Sequence, residues 1–288
     1  MNFVKMHGTG NDYVYVDLWT ESVTDPVATA VEVSHRHFGI GSDGLILVAK
    51  PTEPGFAGRM VMYNADGSES AMCGNGLRCV AKFLFDRDRT GGATEFRLQT
   101  GAGPRSAKVH RGLDGKAESV TLSMGEPLLS PDKIPTTLPA MGSESQIEVG
   151  GRILRGTPVG MGNPHFVVFV DDVDSFPVHE IGPLVENHPA FPKRVNAEFV
   201  QVLGSGHLRQ RTWERGSGET WACGTGASAV CVASRLRGLS DGDVEIDLLG
   251  GRLSLSWHGA GEVRMTGNAV EVFRGKWPPI GANRLNLS

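Results

Sequence analysis

Two short segments hold the residue types best suited to chemistry: A-M-C-G-N-G-L-R at 71–78 and W-A-C-G-T-G-A-S at 221–228. In each, a cysteine (Cys73, Cys223) stands just ahead of an apolar run with helical spacing. A cysteine at a helix N-terminus meets unpaired backbone N–H groups and a partial positive charge, which favour thiolate and bind carboxylate or phosphate. The glycines that follow (Gly74, Gly76, Gly224, Gly226) let backbone approach an anion with no Cβ in the way. Two such units would hold a carboxylate between two helix ends, with a sulfur on either side of the adjacent carbon. That is two-base geometry: one thiolate removes a proton, the opposite thiol delivers one, and N–H donors stabilise the carbanionic state in a dry pocket. The expected chemistry is inversion of a stereocentre without a pyridoxal or metal electron sink.

The remaining cysteines, Cys79 and Cys231, lie inside the two helical runs and read as packing residues. Four cysteines are too few for a disulfide scaffold in 288 residues, and their gaps do not match zinc-ligand spacing. No metal site and no cofactor is expected. A competing class is a redox-sensing protein in which Cys73 and Cys223 close a reversible disulfide; in an enzyme that bond would block the site.

The elements that must position these cysteines come from a duplication. At an offset of 150, Tyr63 meets Trp213, Glu69 meets Glu219, Cys73 meets Cys223, Gly74 meets Gly224 and Gly76 meets Gly226. At an offset of 152, Gly10-Asn11 falls on Gly162-Asn163 and Tyr13–Val16 on His165–Val168. Strand-like segments dominate, among them 13–16, 45–48, 59–63, 165–170, 199–203, 209–213, 244–248 and 270–273. Helical period appears only at Leu77, Val80, Ala81 and Leu84, and at Ala229, Val232, Ala233 and Leu236. These two helices are expected to be amphipathic and to open directly after C-G-x-G. A Pro- and Gly-punctuated stretch from Met124 to Gly151 reads as the join of the halves.

Composition is that of a folded protein: 40% hydrophobic, 21% charged, net charge −4 and 39 glycines in 288 residues. This mild acidity argues against broad nucleic-acid or membrane-surface binding. The apolar run ending at Val170 is far too short to span a bilayer, and the first residues do not resemble a secretory signal. A cytoplasmic location is therefore expected. The fold class expected is α+β, in two pseudo-two-fold-related domains (residues 1–123 and 124–269).

Five motifs in order, H-G-T-G-N-D-Y (7–13), M-Y-N-A-D-G-S (62–68), C-G-N-G-L-R-C (73–79), G-N-P-H-F-V (162–167) and E-R-G-S-G-E-T-W-A-C-G-T-G (214–226), resemble the diaminopimelate epimerase family. The resemblance runs nearly the whole chain. It implies cofactor-independent conversion of LL-diaminopimelate to the meso form, serving lysine and peptidoglycan-precursor synthesis. It also implies two similar domains, each a curled, mostly antiparallel sheet around a central helix, with a C-terminal segment (270–288) returning to the first domain, and a homodimer. Carried over residue by residue, Cys73 and Cys223 match the catalytic pair, with His165 and Glu214 as assisting polar neighbours. Asn11, Asn64, Asn163, Asn196 and Arg215, with Glu214, match substrate-binding positions; Gly74-Asn75 and Gly224-Thr225 match the backbone cradles. Amides and a bidentate guanidinium suit the distal ammonium and carboxylate of diaminopimelate. At Gly44 some members carry Gln, so that contact is absent here.

The nearest alternatives keep the chemistry and change the substrate: a proline racemase or hydroxyproline epimerase, or a racemase for another amino acid such as histidine. A cyclic imino acid has no distal amine or second carboxylate to engage four asparagines and Arg215. The phenazine-pathway isomerase resembles the duplicated architecture but lacks the twin cysteines.

Overall fold

The computed structural model describes residues 1–139 and 144–278. Its chain groups into two compact units, one of residues 1–122 with the described residues from Asn268 onward, the other Ser123–Gly267.

The first unit comprises β1 (Asn2–Gly8), β2 (Asn11–Asp17), α1 (Pro26–Ser34), β3 (Gly44–Ala49), β4 (Gly58–Asn64), β5 (Glu69–Ser70), α2 (Gly74–Phe85), β6 (Glu95–Gln99), β7 (Arg105–Arg111) and most of β8 (Ala117–Gly125). The second comprises β9 (Ser145–Val149), β10 (Arg152–Gly160), β11 (Pro164–Phe169), α3 (Val178–Glu186), β12 (Asn196–Gly204), β13 (His207–Glu214), β14 (Gly218–Thr220), α4 (Gly224–Leu236), β15 (Asp243–Leu248), β16 (Gly251–Ser256) and β17 (Val263–Asn268). β18 (Val270–Lys276) follows.

Strand pairing is the same in both. β1–β2, β3–β4, β4–β5, β6–β7 and β7–β8 are antiparallel, whereas β2–β3 and β4–β6 are parallel. The set β10–β11, β11–β12, β12–β13, β13–β14, β13–β15, β15–β16 and β16–β17 repeats that order of senses. β9 adds antiparallel to β10, and β18 adds in the same way to β1, with Asn2 opposite Lys276. Each unit is thus a curled, mostly antiparallel sheet around one helix.

Every residue of α2 is buried, as are ten residues of α4. The apolar faces predicted for these helices are present, and the polar face of α2 is enclosed as well. Arg78 donates to Thr9 Oγ1 (2.8 Å) and to the Asn268 carbonyl (3.1 Å), and Lys82 pairs with Asp86 at 2.8 Å while donating to the Ala117 carbonyl. Burial of these cations is tolerable because each finds acceptors. Both helices also begin earlier than expected. Cys73 and Cys223 are themselves the N-caps, and the glycines form the first turn. Cys79 and Cys231 are fully buried, and burial lifts their thiols to about 11 and about 12. Among the described residues no helix is long and apolar enough to cross a membrane.

Candidate active site

The two cysteines are held in one way. Cys73 Sγ accepts the Gly76 N–H at 3.4 Å, and Cys223 Sγ accepts the Gly226 N–H at 3.4 Å. Both residues have extended backbone, with φ −131° and −118°, as an N-cap requires. The sulfur therefore occupies the place of a capping oxygen, at the positive end of a buried helix.

Around Cys73 the thiol donates to Asn11 Oδ1 at 3.3 Å, and the Asn11 amide donates to Asp43 at 2.6 Å. Asn11 follows the β1–β2 turn, where Thr9 and Gly10 take φ of 54° and 80°. Asp43 also accepts the Asp12 N–H, and Arg36 reaches Asp12 and Asp43 at 3.0 and 2.8 Å, while Lys5 pairs with Asp12. Burial opposes the charge on Asp12, but Arg36 and Lys5 prevail and hold its carboxyl below the usual range. At Asp43 burial and the Asp12 charge prevail and push the carboxyl up. Tyr13 packs against this group. Burial, then charge at Cys73 and Asp43, raises its phenol well above the ordinary value. Asn75 is buried in the first turn of α2. Asn64 donates to Ser68 within its own hairpin at 2.9 Å. Gly44 lies opposite Asn64 across β3–β4, and a Cβ there would sit 2.2 Å from the Tyr63 carbonyl oxygen. This backbone has no room for a side chain.

Around Cys223 the polar groups are more numerous. His165 is wholly buried, with Nδ1 2.8 Å from Glu198 Oε1 and Nε2 2.9 Å from Asn163 Oδ1. Asn163 donates to Thr225 Oγ1 at 3.3 Å, which lies 3.5 Å from Cys223 Sγ. Glu214, at the end of β13, accepts from Thr220 and bonds the Cys223 thiol. Asn196 is buried between backbone groups, donating to the Pro164 carbonyl at 3.0 Å and accepting the Arg215 N–H at 2.8 Å. It therefore shapes the loop carrying Arg215, whose exposed guanidinium rests on the Lys193 carbonyl at 3.0 Å. Burial first, then the charges of Glu214 and Glu198, push the Cys223 thiol well above its ordinary value; the Thr225 and Gly226 hydrogen bonds act the other way.

Sequence reasoning missed Asp43, Thr220 and Glu198 as members of these clusters. For Glu198 a signal existed. It is a lone carboxylate inside the buried stretch N-A-E-F-V of one strand. Its packing gives a prediction. A Cβ on Gly226 would lie 2.5 Å from Glu198 Oε1, a carboxylate pinned by three hydrogen bonds, whereas a Cβ on the repeat-equivalent Gly76 would press on the terminal methyl of Ile46 at 2.6 Å, the far end of an apolar side chain held by no hydrogen bond. Gly226→Ala is expected to destabilise by about 1–3 kcal/mol. Gly76→Ala gains helix propensity and stays within about 1 kcal/mol of the parent. Thermal melts of the two variants decide; equal melting temperatures would contradict the steric argument.

The fold is that of amino-acid epimerases and racemases. A hydroxyproline epimerase from Agrobacterium vitis superposes with a TM-score of 0.67, covering 96% of this chain and 90% of that one at 18% identity. Within that class, the chain belongs to the diaminopimelate epimerase family, whose model matches residues 3–129 and 157–272. The diaminopimelate epimerase of Leptospira biflexa is 50% identical over 280 residues, spanning 96% of this chain and 98% of that protein. The one from Acetivibrio thermocellus is 49% identical over 278 residues, with 96% and 98% covered. The chain is accordingly an enzyme, an isomerase of this family.

Proposed function

We propose that the enzyme interconverts LL- and meso-diaminopimelate without a cofactor, with Cys73 and Cys223 acting on opposite faces of one α-carbon. One thiolate takes the α-proton and becomes a thiol. The electron pair left behind delocalises into the α-carboxylate, where the first-turn N–H groups of α2 and α4 (Gly74-Asn75, Gly224-Thr225) stabilise it. The opposite thiol gives its proton to the other face and becomes the thiolate. The protonation pattern is then reversed, ready for the return reaction. The product would feed lysine and peptidoglycan-precursor synthesis.

The observation that carries this reading is the recurrence of one cap: two cysteines 150 residues apart, each accepting the N–H three positions on, at the head of a buried helix. Asn11, Asn163 and Arg215 supply donors and acceptors for the substrate's ammonium and carboxylate groups, and Asn196 acts through the Arg215 loop. Proton NMR in D₂O with LL-diaminopimelate tests it, following loss of the α-proton signal and growth of the meso isomer, with proline and histidine in parallel. Turnover of proline or histidine alone would overturn the substrate; silence with all three would overturn the reaction.

Glu214 is the group that best separates function from stability. Burial, then the Glu198 charge, raises its carboxyl above the usual range, against the pull of the Thr220 and Cys223 hydrogen bonds. A carboxyl raised by folding has its ionised form disfavoured in the native state. Stability is thus fullest below the unfolded value and is lost as pH rises through the folded one. Glu214→Gln is expected to raise the melting temperature at pH 8 while leaving it near the parent's at pH 4. Turnover falls about 10- to 100-fold with loss of a charge-assisted contact to Cys223. A Gln variant less stable than the parent at pH 8 would contradict this.

A further inference from the structure

We propose that Glu198 is a positioning residue for the Cys223 half of the reaction: it holds His165 with a hydrogen on each ring nitrogen, and so sets the direction of a hydrogen-bond chain that ends on the sulfur. The inference deepens the function proposed above and rests on it for its kinetic arm.

With the Asn163 amide donating to Thr225 Oγ1, the donors and acceptors point to one assignment. Glu198 is wholly buried; Oε2 receives the Gln210 amide at 2.7 Å and the Thr212 hydroxyl at 2.6 Å, and Oε1 faces His165 Nδ1 at 2.8 Å. Gln210 also donates to Thr212 Oγ1 at 2.8 Å, so the Thr212 hydrogen is directed to the carboxylate. Two donors already converge on Oε2, and an ionised carboxylate, which can only accept, lets Oε1 take a hydrogen from His165 Nδ1. Its Nε2 faces the Asn163 oxygen at 2.9 Å and must carry hydrogen too. Asn163, its oxygen engaged, presents N–H to Thr225 Oγ1 at 3.3 Å, and the Thr225 hydroxyl hydrogen is left to turn toward Cys223 Sγ at 3.5 Å. Together with the Gly226 N–H, the sulfur gains a second donor in its thiolate form. The charged groups facing Cys223 are Glu214 and Glu198. The Glu198 charge is offset by the ring it holds, whereas Glu214 acts on the sulfur directly.

The duplication shows that the fold itself does not need a carboxylate here. At an offset of 152 the position of Glu198 is Ile46, and that of His165 is Tyr13. Glu198 packs against Gly226 as Ile46 packs against Gly76. An apolar side chain fills the equivalent space in the first unit. Burying a charge where a methyl group would serve is costly unless the charge has a task.

The test has a spectroscopic arm and a kinetic arm. In protein labelled with ¹⁵N-histidine, a long-range ¹H–¹⁵N correlation at neutral pH, with His165 assigned by its disappearance in His165→Gln, should show hydrogens on both ring nitrogens. In Glu198→Gln, where the amide can donate to Nδ1, it should show one. In the same variant kcat for diaminopimelate should fall about 10- to 100-fold with KM within about twofold. Glu198→Ile, which installs the first unit's occupant and leaves the Gln210, Thr212 and His165 donors without the carboxylate, should be at least as slow. A single ring hydrogen in the parent, or parental kcat in either variant, would overturn the proposal. If the parent does not turn over diaminopimelate, the functional reading fails while the ring spectrum still decides the role of Glu198.

Discussion

Replacing either Cys73 or Cys223 by alanine should lower epimerisation of diaminopimelate by about 10²- to 10⁴-fold, the share usually carried by a positioned acid or base. The double variant should lose little more than either single one, because the two groups act as a unit. Serine separates the chemistry from the architecture. Each sulfur is also an N-cap, taking the Gly76 or Gly226 N–H at 3.4 Å. Alanine therefore costs about 1 kcal/mol of stability, and serine, a preferred cap, restores it. A hydroxyl is far too weak an acid to replace a thiol, so the serine variants should be stable and inactive. The readouts are α-proton exchange in D₂O and melting temperature, measured on the same preparations. A serine variant with parental exchange, or an alanine variant within tenfold of the parent, would remove that cysteine from the mechanism.

The second large effect is expected at Arg78, which binds nothing in the proposed reaction. It has no exposed surface, and burial draws its guanidinium down from the ordinary range. It joins three distant parts of the first unit: α2, the β1–β2 turn through Thr9 Oγ1, and the Asn268 carbonyl ahead of β18. Asn268 in turn accepts the Thr9 N–H at 3.2 Å, which fixes a non-glycine residue at φ 54°. Arg78→Met keeps much of the volume and removes the donors from the buried Thr9 hydroxyl and the half-buried Asn268 carbonyl. The expected cost is about 2–4 kcal/mol, or about 5–10 °C in melting temperature. A melt within about 1 °C of the parent would show that the two acceptors are satisfied without the guanidinium.

Arg78 also illustrates what could be read from the chain and what could not. The periodicity of Leu77, Val80, Ala81 and Leu84 located the helix, and the twin C-G-x-G segments located its cap, because both are local signals. Whether a sheet would close over the polar side of that helix depends on pairings hundreds of residues apart, which leave no local trace. Strands with aromatic or β-branched alternation, such as β12 and β13, were legible. β7 was not, because only Ala107 and Val109 of R-S-A-K-V-H-R face inward. β10 carries Gly156 and Pro158, which read as punctuation. Yet Gly156 is needed because a Cβ would lie 2.5 Å from the Phe166 ring. Helix α3 was hidden by Gly182 and Pro183, although that glycine lets the helix lie against the Trp213 indole. In the candidate site, residues inside recurrent motifs were legible from their types. Glu198 was not, since its meaning comes from His165 beside it on a parallel strand.

The pairing of β18 with β1 has a consequence for biosynthesis. During synthesis β1 can find β2 almost at once, since Val4 lies opposite Tyr15. The other side of β1 takes its partners at Val270–Lys276, which are made long after β2. At roughly 5–20 residues per second, the nascent first unit carries an open strand edge for tens of seconds, with the Phe3 ring, which later packs beside Phe273 at 5.9 Å between centroids, still uncovered. Such an edge is a template for pairing with other chains. Expression yield and chaperone dependence should therefore respond to changes in β18 more than its modest burial in the finished protein would suggest.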